Sequence, residues 1–476
     1  MYPVRLVNDK SIARTIIQTK ELMRTIPDKG LGFNALRHSG LLIAPAPQIS
    51  FNYLGQFNSS VDEAWQFVHG ETGLPSALEN QIPLALNINS WVQNGQLQFN
   101  LSSRFSESQS QKLVSLLGAS VESIVQHATS QNQKKRLRTP SDFGISDMSI
   151  DDVLRLQEAY DIEAIYPATS LQQGFIFHYL SQPKDDAYRV QLLLDYQHSL
   201  DIDLYKEAWR LASEQFPALR LAFDWQSEPV QYIIAGASIT EAHFAFKDIS
   251  GLNASDRELA ITEIQQADRH KAFDLTCPGL LRITIIKQGN NHFTVLKNEH
   301  HSIGDGWSAP VLWHVVHEFY DLLIQGNKPV VKVDSAYLNT QEYYRSHEAE
   351  SEAFWSKFRG QFPNVNDVSA LLTHKVDLAQ VKSVDEPKEQ RLVFSGDRYQ
   401  ALKGMCHQEG VTINVVAQFA WHKLIQSYSA DPQTVVGTPV SGRDVPVEGI
   451  ETSIGLYINT LPLMVDWSDE KRSVSQ

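Results

Sequence analysis

His300-His301-Ser302-Ile303-Gly304-Asp305-Gly306-Trp307-Ser308 is the stretch on which the reading of this chain turns. It closes a run, HFTVLKNEHH from His292 to His301, that reads as a β-strand, and it opens a helical pattern, SAPVLWHVVHEFYDLLIQ. Gly304 to Gly306 break the pattern between the two. The His pair therefore sits at a strand end. Neighbouring strand residues point to opposite faces, so His300 and His301 are not expected to line one site together or to share one metal. An imidazole at a strand end beside a glycine loop, with an ordinary pKa of roughly 6.5, can exchange a proton near neutrality. Asp305 can orient that turn through hydrogen bonds or an ion pair, and Gly304 and Gly306 allow close backbone approach. A His-His pair of this kind also occurs as a satisfied core or edge feature. The residues alone define a candidate acid/base.

Other reactive arrangements are weaker. The chain has no Gly-x-Ser-x-Gly elbow, no Gly-rich Lys loop for phosphates and no His-Glu-x-x-His zinc helix. Cys406 and His407 are adjacent within a helical pattern and face different ways. His314 and His317 have helical spacing but no third ligand nearby, so a surface or core role outweighs a metal.

The whole chain has 476 residues, 41 Lys plus Arg against 55 Asp plus Glu, and a net charge of −14. That length predicts two or three domain-sized units, and 42% hydrophobic residues supply their cores. The acidic balance argues against binding to nucleic acid, which requires clustered cations to release counterions. Two cysteines rule out a disulfide framework and fit a reducing, cytoplasmic setting. No run of 18 apolar residues is present for a membrane span, and MYPVRLVNDK lacks the apolar stretch of a signal peptide.

Charge divides the chain. Residues 1 to 140 carry 13 basic and 9 acidic residues, and the remainder carries 28 and 46. The join is expected in Thr129 to Ser149, TSQNQKKRLRTPSDFGISDMS, read as a polar, solvated linker. Before it, SIARTIIQTKELMRT predicts a helix stopped by Pro27 to Gly30, and ISFNYLGQF a strand. LALNINSWVQNGQLQFNLS alternates on both sides of Asn94-Gly95, a two-residue hairpin turn. Ser106 and Gln109 suit a capping box for a helix with Leu113, Leu116, Leu117, Val121, Ile124 and Val125 on one stripe. After the join, Ser170 with Gln173 is read as the cap of a helix through LQQGFIFHYL. RVQLLLDY and ALRLAFDW are read as strands flanking the helix LYKEAWRLASEQ. Helices near Gln341 to Phe358 and Thr412 to Tyr428 precede strands TVVGTPVS and GLYINTLPLMV. The alternation predicts α/β or α+β layers.

With these segments placed, a family becomes visible. HHSIGDGWS resembles the His-His-x-x-x-Asp-Gly signature of the condensation domains of nonribosomal peptide synthetases. YPATSLQQGFIFHYL, FPALRLAFDW, VSGRD and IGLYINTLPL resemble further motifs of the same family, in the family's order. The first part resembles a different branch of the superfamily: MYPVRL, PDKGLGF and ISFNYLGQF look like the last motifs of epimerization domains. The resemblance implies an epimerization-domain tail over 1–130, a linker over 131–149, and a condensation domain with its N-terminal lobe over 150–330 and its C-terminal lobe over 331–476. It implies chloramphenicol-acetyltransferase-like lobes, two of them set in a V, preceded by a partial lobe. Late condensation motifs expected after Val465 are missing before Gln476, so the second lobe is expected to be incomplete.

The same resemblance implies peptide-bond formation between a carrier-bound donor thioester, D-configured after an epimerization domain, and a carrier-bound aminoacyl acceptor. His301 would be the catalytic histidine; His300, Asp305, Gly306 and Arg443 would be structural, with Asp305 paired to Arg443. Trp307 and Ser308 would border the substrate tunnel. No metal or cofactor is expected on the chain itself, since the phosphopantetheine arms come from carrier domains. Upstream and downstream peptidyl carrier domains and the adenylation domain of the same module are the implied partners. Two alternatives stand beside this reading: an inactive remnant that binds carriers, and a stand-alone acyltransferase using coenzyme A.

Overall fold

The computed structural model describes residues 2–9, 11–43, 47–57, 84–131, 137–145, 147–183, 185–226, 231–235, 239–360, 366–368 and 389–468. Part of the basic run KKRLR, residues 134–136, lies outside them. Contacts divide the chain into two units, residues 1–160 and 161–476.

In the first unit, Ser11 caps helix α1 (Ile12–Thr25), its side chain accepting from the Arg14 amide, and the helix ends before Pro27. A short helix α2 (Phe33–His38) leads to strand β1 (Ile49–Phe57), followed by β2 (Leu86–Gln93) and β3 (Gln96–Ser103). The three form one sheet in the order β1-β2-β3, with β1 parallel to β2 and β2 antiparallel to β3. Asn94 and Gly95 take φ of 53° and 75°, the left-handed pair that the hairpin turn demands. Helix α3 (Glu107–Gln131) starts with the expected box: the Ser106 amide donates to Gln109 Oε1 at 3.1 Å, and the Gln109 amide donates to Ser106 Oγ at 3.4 Å.

The stretch expected to be a solvated linker differs in its described part. Thr139, Pro140, Ile145 and Met148 are buried. Asp142 accepts from Thr139 and forms ion pairs with Lys20 and Arg24 of α1. The polar composition that read as a tether is used for capping and ion pairing against α1, and α4 (Ile150–Ala159), capped by Ser149, closes the unit.

The second unit holds β4 (Ile162–Pro167), α5 (Ser170–Ser181), β5 (Arg189–Tyr196), α6 (Ile202–Gln215), β6 (Leu221–Asp224), β7 (Gln231–Ala235), β8 (Phe244–Asp248), α7 (Ala254–His270), β9 (Leu281–Gly289), β10 (His292–His300) and α8 (Ser308–Ile324). Then come α9 (Ala336–Ser346), α10 (Glu348–Ser356), α11 (Gly396–Glu409), α12 (Ile413–Ser429), β11 (Gln433–Val440) and β12 (Asn459–Asp466). The alternation of helix and strand gives the mixed α/β class expected. The described strands of this unit form three sheets: β5-β10-β9-β8, β4-β7-β6, and the antiparallel pair β11-β12.

The segment ALRLAFDW is a strand only from Leu221, because Pro217 to Arg220 make a 3-10 turn; proline fixes φ and suits a first helical position. Strand β10 lies between β5 and β9 and is paired antiparallel to both. Phe293 and Val295 join a core with Tyr205, Trp209, Leu312, Val316 and Phe319, where α6 and α8 cover the sheet. Burying each such side chain stabilises the unit by about 1.5–3 kcal/mol before entropy is subtracted. A central strand held on both edges ends in a fixed place, and its last residue is His300. Among the described residues, no helix is long and apolar enough to cross a membrane.

Candidate active site

The ladder continues past the end of β10. The His300 amide donates to the Leu280 carbonyl at 2.9 Å and the His301 amide to the Tyr188 carbonyl at 2.8 Å. At His301 the chain tightens into a 3-10 turn, His301–Ile303, which ends the strict alternation of faces. As a result one ring, Phe175 of α5, meets both imidazoles: its centroid lies 6.2 Å from that of His300 and 5.6 Å from that of His301. The two histidines differ in environment, as expected, but they are not on fully separate faces.

His300 is buried, and its Nδ1 lies 2.8 Å from Ser302 Oγ and accepts from the Ser302 amide at 3.3 Å. Burial, with smaller contributions from His301 and Arg189, holds its pKa down to about 3, so the ring is neutral. His301 is only partly buried. Its Nδ1 lies 2.8 Å from the Gly304 carbonyl. A carbonyl only accepts, so Nδ1 carries the proton and the lone pair is on Nε2. Backbone and ring of His301 are thus each anchored by one carbonyl. The arrangement ties up Nδ1 and leaves Nε2 as the nitrogen free to take a proton from a nucleophile.

Asp305 faces the other way. Its side chain is fully buried, and Oδ1 accepts from the Ser308 amide at 2.9 Å, Ser308 Oγ at 2.8 Å and Arg443 Nη2 at 3.3 Å. Oδ2 accepts from the Tyr457 amide at 3.1 Å. Arg443, nearly as buried, also donates to the carbonyls of Ile450 and Ser453 and to Ser308 Oγ, and its guanidinium lies 4.2 Å from the Tyr457 ring centre. The Arg443 and Tyr457 segments are held to the His loop by this knot, across more than 130 residues of sequence.

Ser308, expected along the substrate passage, is 2% exposed, and its hydroxyl oxygen lies 2.9 Å from the Gly455 carbonyl and 3.1 Å from the Gly455 amide. It belongs to the knot, because the first turn of α8 turns its hydroxyl inward. Trp307 is 53% exposed. Among the described residues, its two chain neighbours aside, no atom lies within 4 Å of where a Cβ on Gly306 would stand, so nothing described there requires glycine. Gly442 is required: its φ is +67°, and a Cβ would fall 1.9 Å from the Tyr457 carbonyl oxygen. A Cβ on Gly455 would lie 2.2 Å from the Tyr337 ring.

Two further residues escaped sequence reasoning. The helix cap expected at Ser170 with Gln173 lies one residue earlier, at Thr169 with Gln172; the Thr169 amide donates to Gln172 Oε1 at 3.0 Å, and the Gln172 amide to Thr169 Oγ1 at 3.3 Å. Thr169 has the extended backbone a cap needs, whereas Ser170 is already helical. While its Oε1 serves the cap, the Nε2 of the fully buried Gln172 donates to the Ser302 carbonyl at 3.2 Å and to the Tyr337 hydroxyl at 3.3 Å. Tyr337 is fully buried too, which drives its phenol pKa far up and keeps it neutral. Together they brace the turn after His301. The capping pattern in the sequence was a signal for Gln172; none marked Tyr337.

His317 bonds its Nε2 to the Tyr196 hydroxyl at 2.7 Å and stacks on Trp313, a packing role. Cys406 is buried in α11. Among the described residues, no group of three or more His, Cys, Asp or Glu is placed to hold a metal ion.

A family model described as "Condensation domain" matches residues 162–476. N-(5-amino-5-carboxypentanoyl)-L-cysteinyl-D-valine synthase of Penicillium rubens is 37% identical over 322 residues, covering 66% of this chain and 8% of that protein. Bacitracin synthase 1 of Bacillus licheniformis is 25% identical over 484 residues, covering 98% of this chain and 9% of that one. The chain thus spans less than a tenth of the length of these two relatives. Among solved structures, the starter condensation domain of rhizomide synthetase aligns with a TM-score of 0.50 at 17% identity, over 64% of this chain and 67% of that chain, a likeness of fold.

Proposed function

The chain belongs to the condensation-domain family over residues 162–476, and from that premise we propose that its second unit forms peptide bonds in nonribosomal peptide synthesis. The amine of a carrier-bound aminoacyl group attacks the carbonyl of a carrier-bound donor thioester. A C–N bond forms, the C–S bond breaks, and the donor carrier's phosphopantetheine thiol leaves with a proton. His301 takes the amine proton at Nε2 or holds the amine through it, and stabilises the charge that develops. The single observation that carries this reading is the 2.8 Å contact from His301 Nδ1 to the Gly304 carbonyl, which supports Nε2 as the basic atom. Asp305 and Arg443 act by holding the loop; their mutual bonding supports a structural role.

Residues 1–130 are the end of an epimerization domain in this proposal, resting on the MYPVRL, PDKGLGF and ISFNYLGQF motifs. The alignment with bacitracin synthase 1, which covers 98% of the chain, supports placing both units in one synthetase. A preceding epimerization domain makes the donor D-configured, and carrier domains on both sides and an adenylation domain of the same module are the partners.

The test is amide formation by the full chain from synthetic donor and acceptor thioesters, offered on carrier domains and, separately, on coenzyme A. Product from carrier-loaded substrates, reduced about 10²- to 10⁴-fold in His301→Ala, is the expected result. Turnover of His301→Ala within tenfold of wild type would refute the role of His301, and equal use of coenzyme A would point to a stand-alone acyltransferase.

A further inference from the structure

Tyr188 has a backbone that its side chain disfavours. Its φ is +63°, left-handed, in a residue that is neither glycine nor asparagine. Such a conformation persists only where its surroundings hold it, and the observation is a pointer to function when the held atom serves a site. The loop around Tyr188 is tied on both sides. Asp185 Oδ1 accepts from the Ala187 amide at 3.1 Å, Asp185 Oδ2 lies 3.1 Å from His178 Nε2, and Arg189 Nη2 donates to the Asp185 carbonyl at 2.9 Å. The Tyr188 ring packs on Phe175 at 4.3 Å and edge-on to His178 at 5.2 Å. The atom so fixed is the Tyr188 carbonyl oxygen, which receives the His301 amide at 2.8 Å.

We propose that Tyr188 is a positioning residue for His301: its left-handed backbone aims one carbonyl at the His301 amide, and so sets where the imidazole meets the Gly304 carbonyl and which nitrogen is basic. The proposal rests on His301 being the acid/base of the reaction above. An extended Tyr188 would turn its carbonyl away, leave the His301 amide without that acceptor and free the 3-10 turn to rotate. Nδ1 would then lose its fixed acceptor, and the two neutral tautomers would mix. The ring of Tyr188 is secondary in this account, since it contributes packing to Phe175, whereas the carbonyl acts on His301 directly.

The experiment separates backbone from ring with substitutions that all remove the ring but differ in their tolerance of positive φ. Tyr188→Gly and Tyr188→Asn tolerate it, Tyr188→Ala less so, and Tyr188→Val, being β-branched, least. All are made in the full chain, and two readouts are taken: kcat and KM for amide formation from carrier-loaded thioesters, and the tautomer of His301 from ¹⁵N-histidine NMR, its signals identified by their absence in His301→Ala. Gly and Asn should keep kcat within about threefold of wild type and retain the Nδ1–H tautomer. Val should lose about ten- to a hundredfold in kcat, with KM little changed and the tautomers mixed, as expected for a small displacement of a reacting group. If Val does not fold, Ala takes its place and must fall below Gly and Asn in both readouts. Loss of activity in Gly and Asn equal to that in Val or Ala would assign the effect to the ring and overturn the proposal, as would a Val or Ala variant with wild-type kcat and tautomer. If the wild-type chain forms no amide, the function proposed above has failed, and the tautomer series still decides whether Tyr188 positions His301.

Discussion

Replacing Asp305 with alanine is expected to destabilise the second unit strongly, and to lower amide formation only through the loop that carries His301, since Asp305 is not itself a reacting group. The carboxylate accepts four hydrogen bonds, from the Ser308 amide, Ser308 Oγ, Arg443 Nη2 and the Tyr457 amide, and its side chain has no exposure. Removing one member of a buried ion pair costs about 3–5 kcal/mol, because the partner is left charged out of water. Two features pull the figure to the lower end. Arg443 keeps the carbonyls of Ile450 and Ser453, and the Ser308 amide keeps the Asp305 carbonyl at 3.1 Å. The Tyr457 amide loses its carboxylate partner, which adds about 1 kcal/mol or more. A net loss of about 3–4 kcal/mol follows, and at a few degrees per kcal/mol for a unit of this size Tm should drop by about 10 °C. Thermal melts followed by near-ultraviolet circular dichroism measure it. Asp305→Asn, which retains one acceptor oxygen, should recover part of the loss. An Asp305→Ala protein that melts within about 2 °C of wild type and yet forms no amide would refute the reasoning and make Asp305 a participant in the reaction.

Gly442→Ala should destabilise by at least about 1–2 kcal/mol, since alanine disfavours positive φ; because its Cβ would collide with the Tyr457 carbonyl and push the adjacent Arg443 off Asp305, amide formation should fall with it. An unchanged melt would show that the loop has another conformation available. His300 gives a pH dependence of definite sign: its folded pKa is about 3 against roughly 6.5 unfolded, so between those values the unfolded chain binds more protons. The stability due to keeping this ring neutral is full above about pH 6.5 and is lost as pH falls toward 3. Urea melts of wild type and His300→Gln from pH 7 to 4 should show a shallower decline in the variant, and parallel declines would rule His300 out as a contributor.

Much of the local structure was legible in the residues. Asn94-Gly95 between two alternating runs specified a hairpin turn, and HFTVLKNEHH followed by a glycine pair specified a strand that stops at the histidines. Such signals work because helix and strand periods, caps and tight turns involve residues two to four positions apart, whose chemistry can be read side by side. The resemblance added Arg443 as the partner of Asp305, a pairing over 138 residues that periodicity could not show.

What only the tertiary structure decided lies where two readings of the sequence were chemically equal or where distant segments meet. Thr169 with Gln172 and Ser170 with Gln173 fit the same capping pattern, and only the extended backbone of Thr169 chooses between them, which fixes the Gln172 side chain through its Oε1 and aims its Nε2 at Ser302 and Tyr337. Ser308 reads as a residue bordering a passage until the fold brings Gly455 and Arg443 against its hydroxyl. The polar stretch after Gln131 reads as a linker until α1 supplies Lys20 and Arg24 to Asp142. Tyr188 carries no mark of its left-handed backbone, because a conformation unfavourable to the residue is imposed by contacts that exist only once β5 is paired with β10.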